Sequence, residues 1–327
     1  MVDAAAMVFP SPAPVPGLPA MVSVYEVGPR DGLQAEKAVL PTEVKLEFIH
    51  RLQQAGLRSI EATSFVSPRW VPQLADADEL MAGLARQGSV RYPVLVPNER
   101  GYDRARAAGA EEIAVFVSAT ERFARENLGT TRSGALELAA PVVRRALADG
   151  VAVRGYVSMC FGDPWEGRVD PAQAAAVAGR LVELGCRTVS LGDTIGVATA
   201  GQVVEVLDAV TAAGVRRDQI ALHFHDTYGQ ALTNVLAGLH AGITEFDASA
   251  GGLGGCPYAK SATGNLATED LVWLLTGLGI DTGIDLTVLV CTSVWMAEQL
   301  GRPSPSRVVA ALASGAGIDP PAPAAGR

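Results

Sequence analysis

Residues 22–34 read VSVYEVGPRDGLQ, a β-rich run that leads directly into a charged turn. In a doubly wound open sheet, the first strand usually leads into a glycine-rich, phosphate-binding turn of the pattern GxGxxG. In this chain Pro29, Arg30 and Asp31 displace that pattern. The stretch therefore favours a closed parallel barrel over a doubly wound sheet.

A recurring glycine marks the boundaries between predicted helices and strands. Each of these glycines follows an amphipathic stretch and precedes a β-rich run. Glycine is favoured just past a helix because it has no Cβ to oppose a left-handed backbone. Each one therefore predicts a helix-to-strand join. The seven glycines are Gly56, Gly88, Gly109, Gly150, Gly185, Gly214 and Gly242.

Seven joins after a first strand predict eight strands that alternate with helices. This alternation and its length fit a TIM (β/α)8 barrel, for which roughly 250 residues are typical. We expect additional C-terminal helices from about residue 266 onward. The predicted strands cover 22–27, 59–63, 92–96, 113–118, 153–157, 188–191, 220–224 and 245–248.

The two ends of the chain differ in composition from its centre. Residues 1–20 are rich in Ala and Pro and contain no Lys or Arg, unlike a signal or transit peptide. We predict a disordered extension over 1–20, a single catalytic domain over 21–317 and a flexible tail over 318–327.

Composition excludes several classes of protein. The net charge of −9 argues against a nucleic-acid partner. No run approaches the roughly 18 apolar residues of a membrane-spanning helix, so we expect a soluble protein without a membrane partner. The four cysteines form no CxxC pair, which favours a reducing, cytoplasmic location over a disulfide scaffold.

Polar side chains collect where the predicted strands end, which is where TIM barrels carry their catalytic groups. His223 and His225 lie two residues apart, so a strand places both imidazoles on one face. This pattern favours a metal site over a pair of hydrogen-bonded core histidines. The residues at the other strand ends are Arg30, Asp31, Glu61, Ser118, Ser158 and Asp193.

The identity of the metal follows from the ligand types. Asp31 is a natural third ligand, and no cysteine lies in the histidine segment. A mixed nitrogen and oxygen site favours Mg²⁺ or Mn²⁺, with zinc left open.

After the eighth strand, residues 251–257 read GGLGGCP. This loop is either a mobile lid that carries Cys256 to the metal or a flexible turn with an inert thiol.

Five ordered motifs resemble the 3-hydroxy-3-methylglutaryl-CoA lyase family over roughly residues 22–285. The resemblance implies a TIM barrel that uses a divalent cation to cleave 3-hydroxy-3-methylglutaryl-CoA into acetyl-CoA and acetoacetate. It also implies an acyl-CoA partner, a homodimer and a role in leucine catabolism. The motifs are VGPRDGLQ (27–34), SFVSPRWVP (64–72), HFHD (223–226), GLGGCPYA (252–259) and GNLATED (264–270).

The resemblance also implies roles for individual residues. The metal ligands would be Asp31, His223, His225 and Asn265, and the catalytic group would be Arg30, Glu61, Asp193, His223 and Cys256.

The chemistry explains these residue types. Carbon–carbon cleavage needs a cation to meet the developing enolate, which suits Arg30, and a base for the hydroxyl proton, either His223 or Asp31. Glu61 and Asp193 either orient that proton or form ion pairs at the rim. Cys256 is expected to protonate the acetyl-CoA carbanion.

Two segments depart from the family pattern, and three other classes compete. Residues 158–165 read SMCFGDPW, where many members of the family have Ser-Cys followed by Gly-Cys-Pro-Tyr. Residues 127–131 read NLGTT, where the family usually has Asn-Ile-Asn-Cys-Ser. Both segments should border the acyl group, so a lyase for a longer 3-hydroxy-3-alkylglutaryl-CoA is an alternative.

A Claisen-type synthase would usually have Glu in place of Leu33. A biotin-enzyme carboxyltransferase domain would need a lysine near residues 192–194. A non-catalytic relative that binds metal or acyl-CoA is the remaining alternative.

Overall fold

The predicted strands all form in the computed structural model of the chain, which describes residues 9–86, 88–256 and 259–315. For residues 256, 259–263, 314 and 315 only the backbone is described. The barrel strands are β1 (Ser23–Glu26), β2 (Ser59–Ile60), β3 (Thr63–Ser64), β4 (Val94–Leu95), β5 (Glu112–Ser118), β6 (Ala152–Ser158), β9 (Thr188–Asp193), β10 (Ile220–Phe224) and β11 (Glu245–Ala248). Two hairpins, β7 (Gly162–Asp163) with β8 (Gly167–Arg168) and β12 (Gly255–Cys256) with β13 (Ala259–Thr263), extend from the barrel.

The sheet closes because its second barrel strand is interrupted. β2 pairs with β1, where Ile60 lies opposite Glu26, and β3 pairs with β4, where Thr63 lies opposite Val94. Only residues 61 and 62 separate β2 from β3, so the two ends of the parallel sheet are two halves of one strand. This confirms the predicted barrel and rules out an open doubly wound sheet.

Helices cover the outside of the barrel. α9 completes the eighth unit, and α10 and α11 are the predicted additional C-terminal helices. Among the described residues, no helix is long and apolar enough to cross a membrane. The helices are α1 (Thr42–Gln54), α2 (Ala77–Gly83), α3 (Glu99–Ala107), α4 (Glu121–Leu128), α5 (Arg132–Ala148), α6 (Pro171–Leu184), α7 (Ala200–Ala212), α8 (Ala231–His240), α9 (Thr268–Gly277), α10 (Leu286–Leu300) and α11 (Arg307–Gly315).

Local sequence explains where the helices begin and end. α6 starts at Asp170, whose side chain accepts a hydrogen bond from the Ala172 amide at 2.9 Å, with Pro171 in the first turn. It ends at Gly185, which has a left-handed φ of 111°. Five of the other six predicted join glycines have positive φ and lie two residues past the end of a helix, which confirms them as helix-to-strand joins. Gly88 also has positive φ but lies five residues past the end of α2.

The described residues form two apolar regions on opposite faces of the sheet. The larger one lies between the strands and the helices and includes Phe48 and Leu52 of α1 and Leu222 and Phe224 of β10. Burying a side chain of this size stabilises the fold by about 1.5–3 kcal/mol. The smaller region lies inside the barrel and contains Tyr25, Val27, Leu95, Ala114 and Tyr156. His223 and His225 alternate with the outward residues of β10, so they face the barrel interior.

Residues 9–20 contact the barrel, whereas the sequence predicted that they are disordered. The Ala13 amide donates to the Gly277 carbonyl at 2.9 Å, and the Asp281 amide donates to the Ala20 carbonyl at 3.0 Å. Leu18 packs against the larger apolar region. The prolines in this segment favour an extended backbone, which suits contact with the end of α9. The predicted tail over 318–327 lies outside the described residues.

Candidate metal centre and active site

Three predicted ligands meet at the carboxyl end of the barrel. Asp31 lies in a short helical turn after β1, where the amides of residues 30, 31 and 32 all donate to the Val27 carbonyl. His223 and His225 lie on and just after β10, with ring centroids 5.3 Å apart. One potential ligand atom from each of the three residues lies within 4.8 Å of the others. The structure therefore brings together the aspartate and both histidines.

The surroundings of these ligands fit a divalent cation. His225 Nδ1 and Asn265 Oδ1 are buried and have no hydrogen-bond partner. Buried polar atoms are nearly always paired, so two such atoms beside an aspartate indicate a place for an ion. Asn265 Nδ2 donates to Asp31 Oδ2 at 2.8 Å, and Asn265 bridges to His225 through the backbone. This oxygen and imidazole donor set suits Mg²⁺ or Mn²⁺.

Arg30 is fixed beside the metal ligands by two carboxylates. Its Nε donates to Glu61 Oε2 at 2.6 Å, and its Nη1 donates to Asp31 Oδ1 at 2.6 Å. Glu61 is fully buried at the break between β2 and β3. Glu61 thus forms an ion pair with Arg30. Arg30 Nη2 takes part in neither pair.

Burial and neighbouring charges shift the pKa values of two of the predicted metal ligands. Burial opposes ionisation of Asp31, but Arg30 and the two histidines lower its pKa to about 2. Burial and the neighbouring His223 lower the pKa of His225 to about 3. Asp31 is therefore a carboxylate and His225 a neutral imidazole near neutral pH, which are the forms that bind a metal.

Sequence reasoning missed Asp247, which orients His223. Asp247 lies on β11 directly opposite His223 on β10, and its Oδ2 contacts His223 Nδ1 at 3.2 Å. Ser190 Oγ donates to the same oxygen at 2.7 Å. Because a carboxylate oxygen accepts, this contact places a proton on His223 Nδ1 and leaves Nε2 as the ring nitrogen that could bind a metal. The alternation of Glu245, Phe246 and Asp247 in the predicted eighth strand is the signal that could have revealed it.

Asp193 has a different environment from the rest of the predicted catalytic group. Its two carboxylate oxygens accept hydrogen bonds from the amides of Val197 and Ala198, at 2.9 and 3.0 Å. Burial raises its pKa to about 6, although these hydrogen bonds oppose the rise. The contacts show that Asp193 holds the loop after β9 in place.

The glycine-rich loop after β11 is anchored at its base. Glu26 Oε1 accepts from the Ala250 amide at 2.8 Å, and Glu269 Oε2 accepts from the Gly251 amide at 2.8 Å. Gly254 has a φ of 120°, and a Cβ there would come within 2.7 Å of Asn265 Nδ2. A side chain at position 254 would collide with Asn265, so this position requires glycine. The side chain of Cys256 lies outside the described residues, although its backbone forms β12.

One of the two segments that depart from the family pattern, residues 158–165, is tied to the residues that follow β5 and β9. Asp163, in the hairpin after β6, accepts a hydrogen bond from Thr120 Oγ1 at 2.6 Å. Thr120 follows β5 and also contacts Ser118 Oγ. Met159 has a left-handed φ of 59°, which is uncommon for a side chain of this kind, and its amide donates to Thr194 Oγ1. These contacts fix the rim of the barrel between β5 and β9.

Fold and site together define a TIM-barrel protein in which an aspartate and two histidines that could hold a metal ion lie at the carboxyl ends of the strands, with a buried arginine beside them. The chain belongs to the HMGL-like family, whose model matches residues 21–295.

Its relatives share both sequence and fold. It is 51% identical over 294 residues to the cytoplasmic 3-hydroxy-3-methylglutaryl-CoA lyase of Danio rerio, covering 90% of this chain and 88% of the relative. It is 49% identical to the mitochondrial hydroxymethylglutaryl-CoA lyase of Rattus norvegicus, covering 90% of each. The crystal structure of the hydroxymethylglutaryl-CoA lyase from Pseudomonas aeruginosa matches it with a TM-score of 0.89 and 47% identity, covering 91% of this chain and 99% of that one.

Proposed function

We propose that this protein is a carbon–carbon lyase that cleaves 3-hydroxy-3-methylglutaryl-CoA into acetyl-CoA and acetoacetate. The observation that carries the proposal is the direct contact of Arg30 with Asp31, Nη1 to Oδ1 at 2.6 Å. This contact places a permanent cation beside the metal-ligand cluster. Relatives at about 50% identity carry the name of this enzyme.

The metal ligands are Asp31, His223, His225 and Asn265 in this proposal. A bound Mg²⁺ or Mn²⁺ would supply Lewis acidity, which makes the tertiary hydroxyl of the substrate more acidic. The orphaned Oδ1 of Asn265 and Nδ1 of His225 support this ligand set. Asn265 currently donates its amide to Asp31, so the two side chains are already adjacent.

Arg30 is proposed to stabilise the enolate that forms as the carbon–carbon bond breaks. Its guanidinium cannot lose its charge near neutral pH, and two carboxylates fix its orientation. Nη2 takes part in neither pair and is the atom we assign to the enolate oxygen. Oriented donors of this kind typically contribute about 10²–10³ to kcat.

The hydroxyl proton needs an acceptor, for which the sequence left His223 and Asp31. Both oxygens of Asp31 are engaged, Oδ1 by Arg30 and Oδ2 by Asn265. His223 donates its Nδ1 proton to Asp247, which leaves Nε2 as its one basic nitrogen, and an Nε2 bound to the metal cannot also take the proton. We therefore keep both residues as candidates for the base. Cys256 is proposed to return a proton to the acetyl-CoA carbanion. Glu61 and Asp193 are proposed to support the site by holding Arg30 and the loop after β9.

The biological setting is proposed from the resemblance. We propose a homodimer that takes an acyl-CoA in the cytoplasm and serves leucine catabolism. Named relatives occur in both cytoplasmic and mitochondrial forms.

A coupled assay for acetyl-CoA and acetoacetate tests the proposal. The purified protein is stripped with EDTA, dialysed, and assayed with Mg²⁺, with Mn²⁺ and without metal. Rapid cleavage that depends on either metal supports the proposal. A rate that rises with a longer 3-alkyl substituent would assign the site to the longer substrate. Absence of cleavage for every analogue would contradict lyase activity and favour the synthase or binding alternatives.

A further inference from the structure

Tyr156 lies directly beneath the proposed catalytic groups and contacts several of them. It is on β6, faces the barrel interior and is almost fully buried. Its hydroxyl donates to Glu61 Oε2 at 3.2 Å, the same oxygen that accepts from Arg30 Nε. The guanidinium carbon of Arg30 lies 5.4 Å from the centre of its ring, and the His223 ring meets it edge-on at 6.4 Å. Tyr156 therefore contacts both the Glu61–Arg30 pair, called here the enolate half of the site, and His223, which belongs with the other proposed metal ligands to the metal half.

Arg154 lies two residues earlier on the same strand and points into the same interior. Its side chain is 3% exposed, and its guanidinium pairs with Glu245 and Asp247. The guanidinium carbon lies 4.1 Å from the Tyr25 ring centre and 5.4 Å from the Tyr156 ring centre. Two carboxylates and two aromatic rings thus hold this cation.

The two arginines occupy successive layers of the barrel and share the Tyr156 ring. Arg30 belongs to the upper layer with the metal ligands. Arg154 belongs to the lower layer and pairs with Asp247 Oδ1, while Asp247 Oδ2 contacts His223. Because a carboxylate is planar, fixing one oxygen also fixes the direction in which the other points. The orientation of His223 thus depends on Arg154 through Asp247. Arg154 itself pairs with Glu245 and Asp247, neither of which is a proposed metal ligand.

On the basis of the proposed function, we propose that Tyr156 and Arg154 are positioning residues that orient different halves of the active site. Tyr156 holds the Glu61–Arg30 pair through its hydroxyl and its ring. Arg154 holds His223 through Asp247. The Tyr156 hydroxyl therefore supports the enolate half, and Arg154, two residues earlier on the same strand, supports the metal half.

This arrangement predicts effects that simple packing in the barrel would not produce. Removing the Tyr156 hydroxyl loosens the Glu61–Arg30 pair and leaves the metal ligands in place. Disturbing Asp247 loosens His223 and weakens the metal. Loss of an outer partner of a metal ligand typically lowers metal affinity or activity by about 10–100-fold. A packing role would lower the melting temperature without separating these two properties.

The experiment uses the full chain and five variants: Tyr156→Phe, Arg154→Met, Ser190→Ala, Ser190→Thr and Arg168→Met. Arg168 forms an exposed ion pair with Glu205 at 2.8 Å, so it controls for loss of an arginine. Mn²⁺ affinity of the metal-free protein is measured by electron paramagnetic resonance, and kcat and KM are measured at saturating Mn²⁺. Ser190→Ala removes only one donor to Asp247 Oδ2, so it tests the metal half if Arg154→Met does not fold.

The expected results separate the two halves. Tyr156→Phe lowers kcat about 10-fold or more and keeps the Mn²⁺ Kd within about 2-fold, because a hydrogen bond to a charged group is lost away from the ligands. Arg154→Met and Ser190→Ala raise the Mn²⁺ Kd by about 10-fold or more, and Ser190→Thr restores it. Arg168→Met behaves as the unaltered protein.

Two results would overturn the inference: unchanged kcat and Kd in folded variants, or loss of Mn²⁺ affinity in Tyr156→Phe with none in Ser190→Ala. An unaltered protein that binds Mn²⁺ but cleaves no acyl-CoA contradicts the proposed function instead. The Mn²⁺ measurements still decide the role of Arg154 in that case.

Discussion

Replacing Arg30 with methionine should separate the catalytic role of this residue from its structural role. Methionine retains an apolar chain but removes the charge that neutralises Glu61. The Glu61 carboxylate is fully buried, its Oε1 already lacks a partner, and its Oε2 would keep the Tyr156 hydroxyl. Leaving one member of a buried ion pair uncompensated costs about 3–5 kcal/mol of folding stability.

The same substitution should lower turnover by a separate amount. Loss of one oriented donor to an oxyanion costs about 10²–10³ in kcat, or roughly 3–4 kcal/mol. The double variant Arg30→Met/Glu61→Gln removes the uncompensated charge but does not restore the donor. We therefore expect its free energy of unfolding to return to within about 1–2 kcal/mol of the unaltered protein, while kcat stays low.

The assays are urea unfolding for stability and the coupled acetyl-CoA and acetoacetate assay for kcat. Arg168→Met is the matched control, because an exposed ion pair contributes only about 0–1 kcal/mol. Recovery of kcat in the double variant would refute the assignment of Arg30 to the enolate. Turnover near that of the unaltered protein in Arg30→Met alone would refute it as well.

Further predictions concern the metal ligands, a buried acid and the loop. His225→Ala should raise the Mn²⁺ Kd by roughly 10²-fold or more, as measured by titration of the metal-free protein, and an unchanged Kd would contradict its role as a ligand. Burial raises the pKa of Glu269 from 4.5 to about 8, so the folded state holds a proton that the unfolded state releases between these values. Stability should therefore decline as pH rises from 4.5 towards 8, by roughly a few kcal/mol. Glu269→Gln should reduce this decline in urea unfolding at pH 5, 6.5 and 8, and an identical slope would count against it. Gly254→Ala should destabilise the protein by roughly 1–3 kcal/mol and weaken Mn²⁺ binding, because its φ is 120° and a Cβ would meet Asn265. Gly255→Ala, where a Cβ has more room, should be much milder in both measurements, and equal effects would be evidence against this explanation.

Local patterns in the sequence were sufficient to predict the architecture. A helix stop at Gly185 and a cap at Asp170 depend on residues a few positions apart, so both can be inferred without tertiary contacts. The two histidines of β10 also share a face by strand alternation alone. These features are local, and the structure confirms each of them.

The remaining part of the site depends on contacts between distant residues. Asp31 meets Asn265 across 234 positions, and only the family resemblance suggested that pair. Tyr156 and Asp247 lie in mid-strand, where an aromatic ring or a carboxylate has many possible partners. Asp247 reaches His223 through the register between β10 and β11, and Tyr156 reaches Glu61 across the interior of the barrel. The sequence specified neither. Asp193 was predicted in the catalytic group from its position, but only the coordinates show that it binds the loop backbone.

The carboxylate of Asp247 has a consequence for folding. Its partners Arg154, Ser190 and His223 lie on β6, β9 and β10, which are separated from it by 93, 57 and 24 positions. Contacts over such separations form late, because closing long loops costs entropy before any contact compensates for it. His223 is therefore correctly oriented only after four adjacent strands have reached their final register. We expect a refolding chain to acquire tight Mn²⁺ binding at the same rate as it closes the barrel, so that metal capture reports the last step of folding.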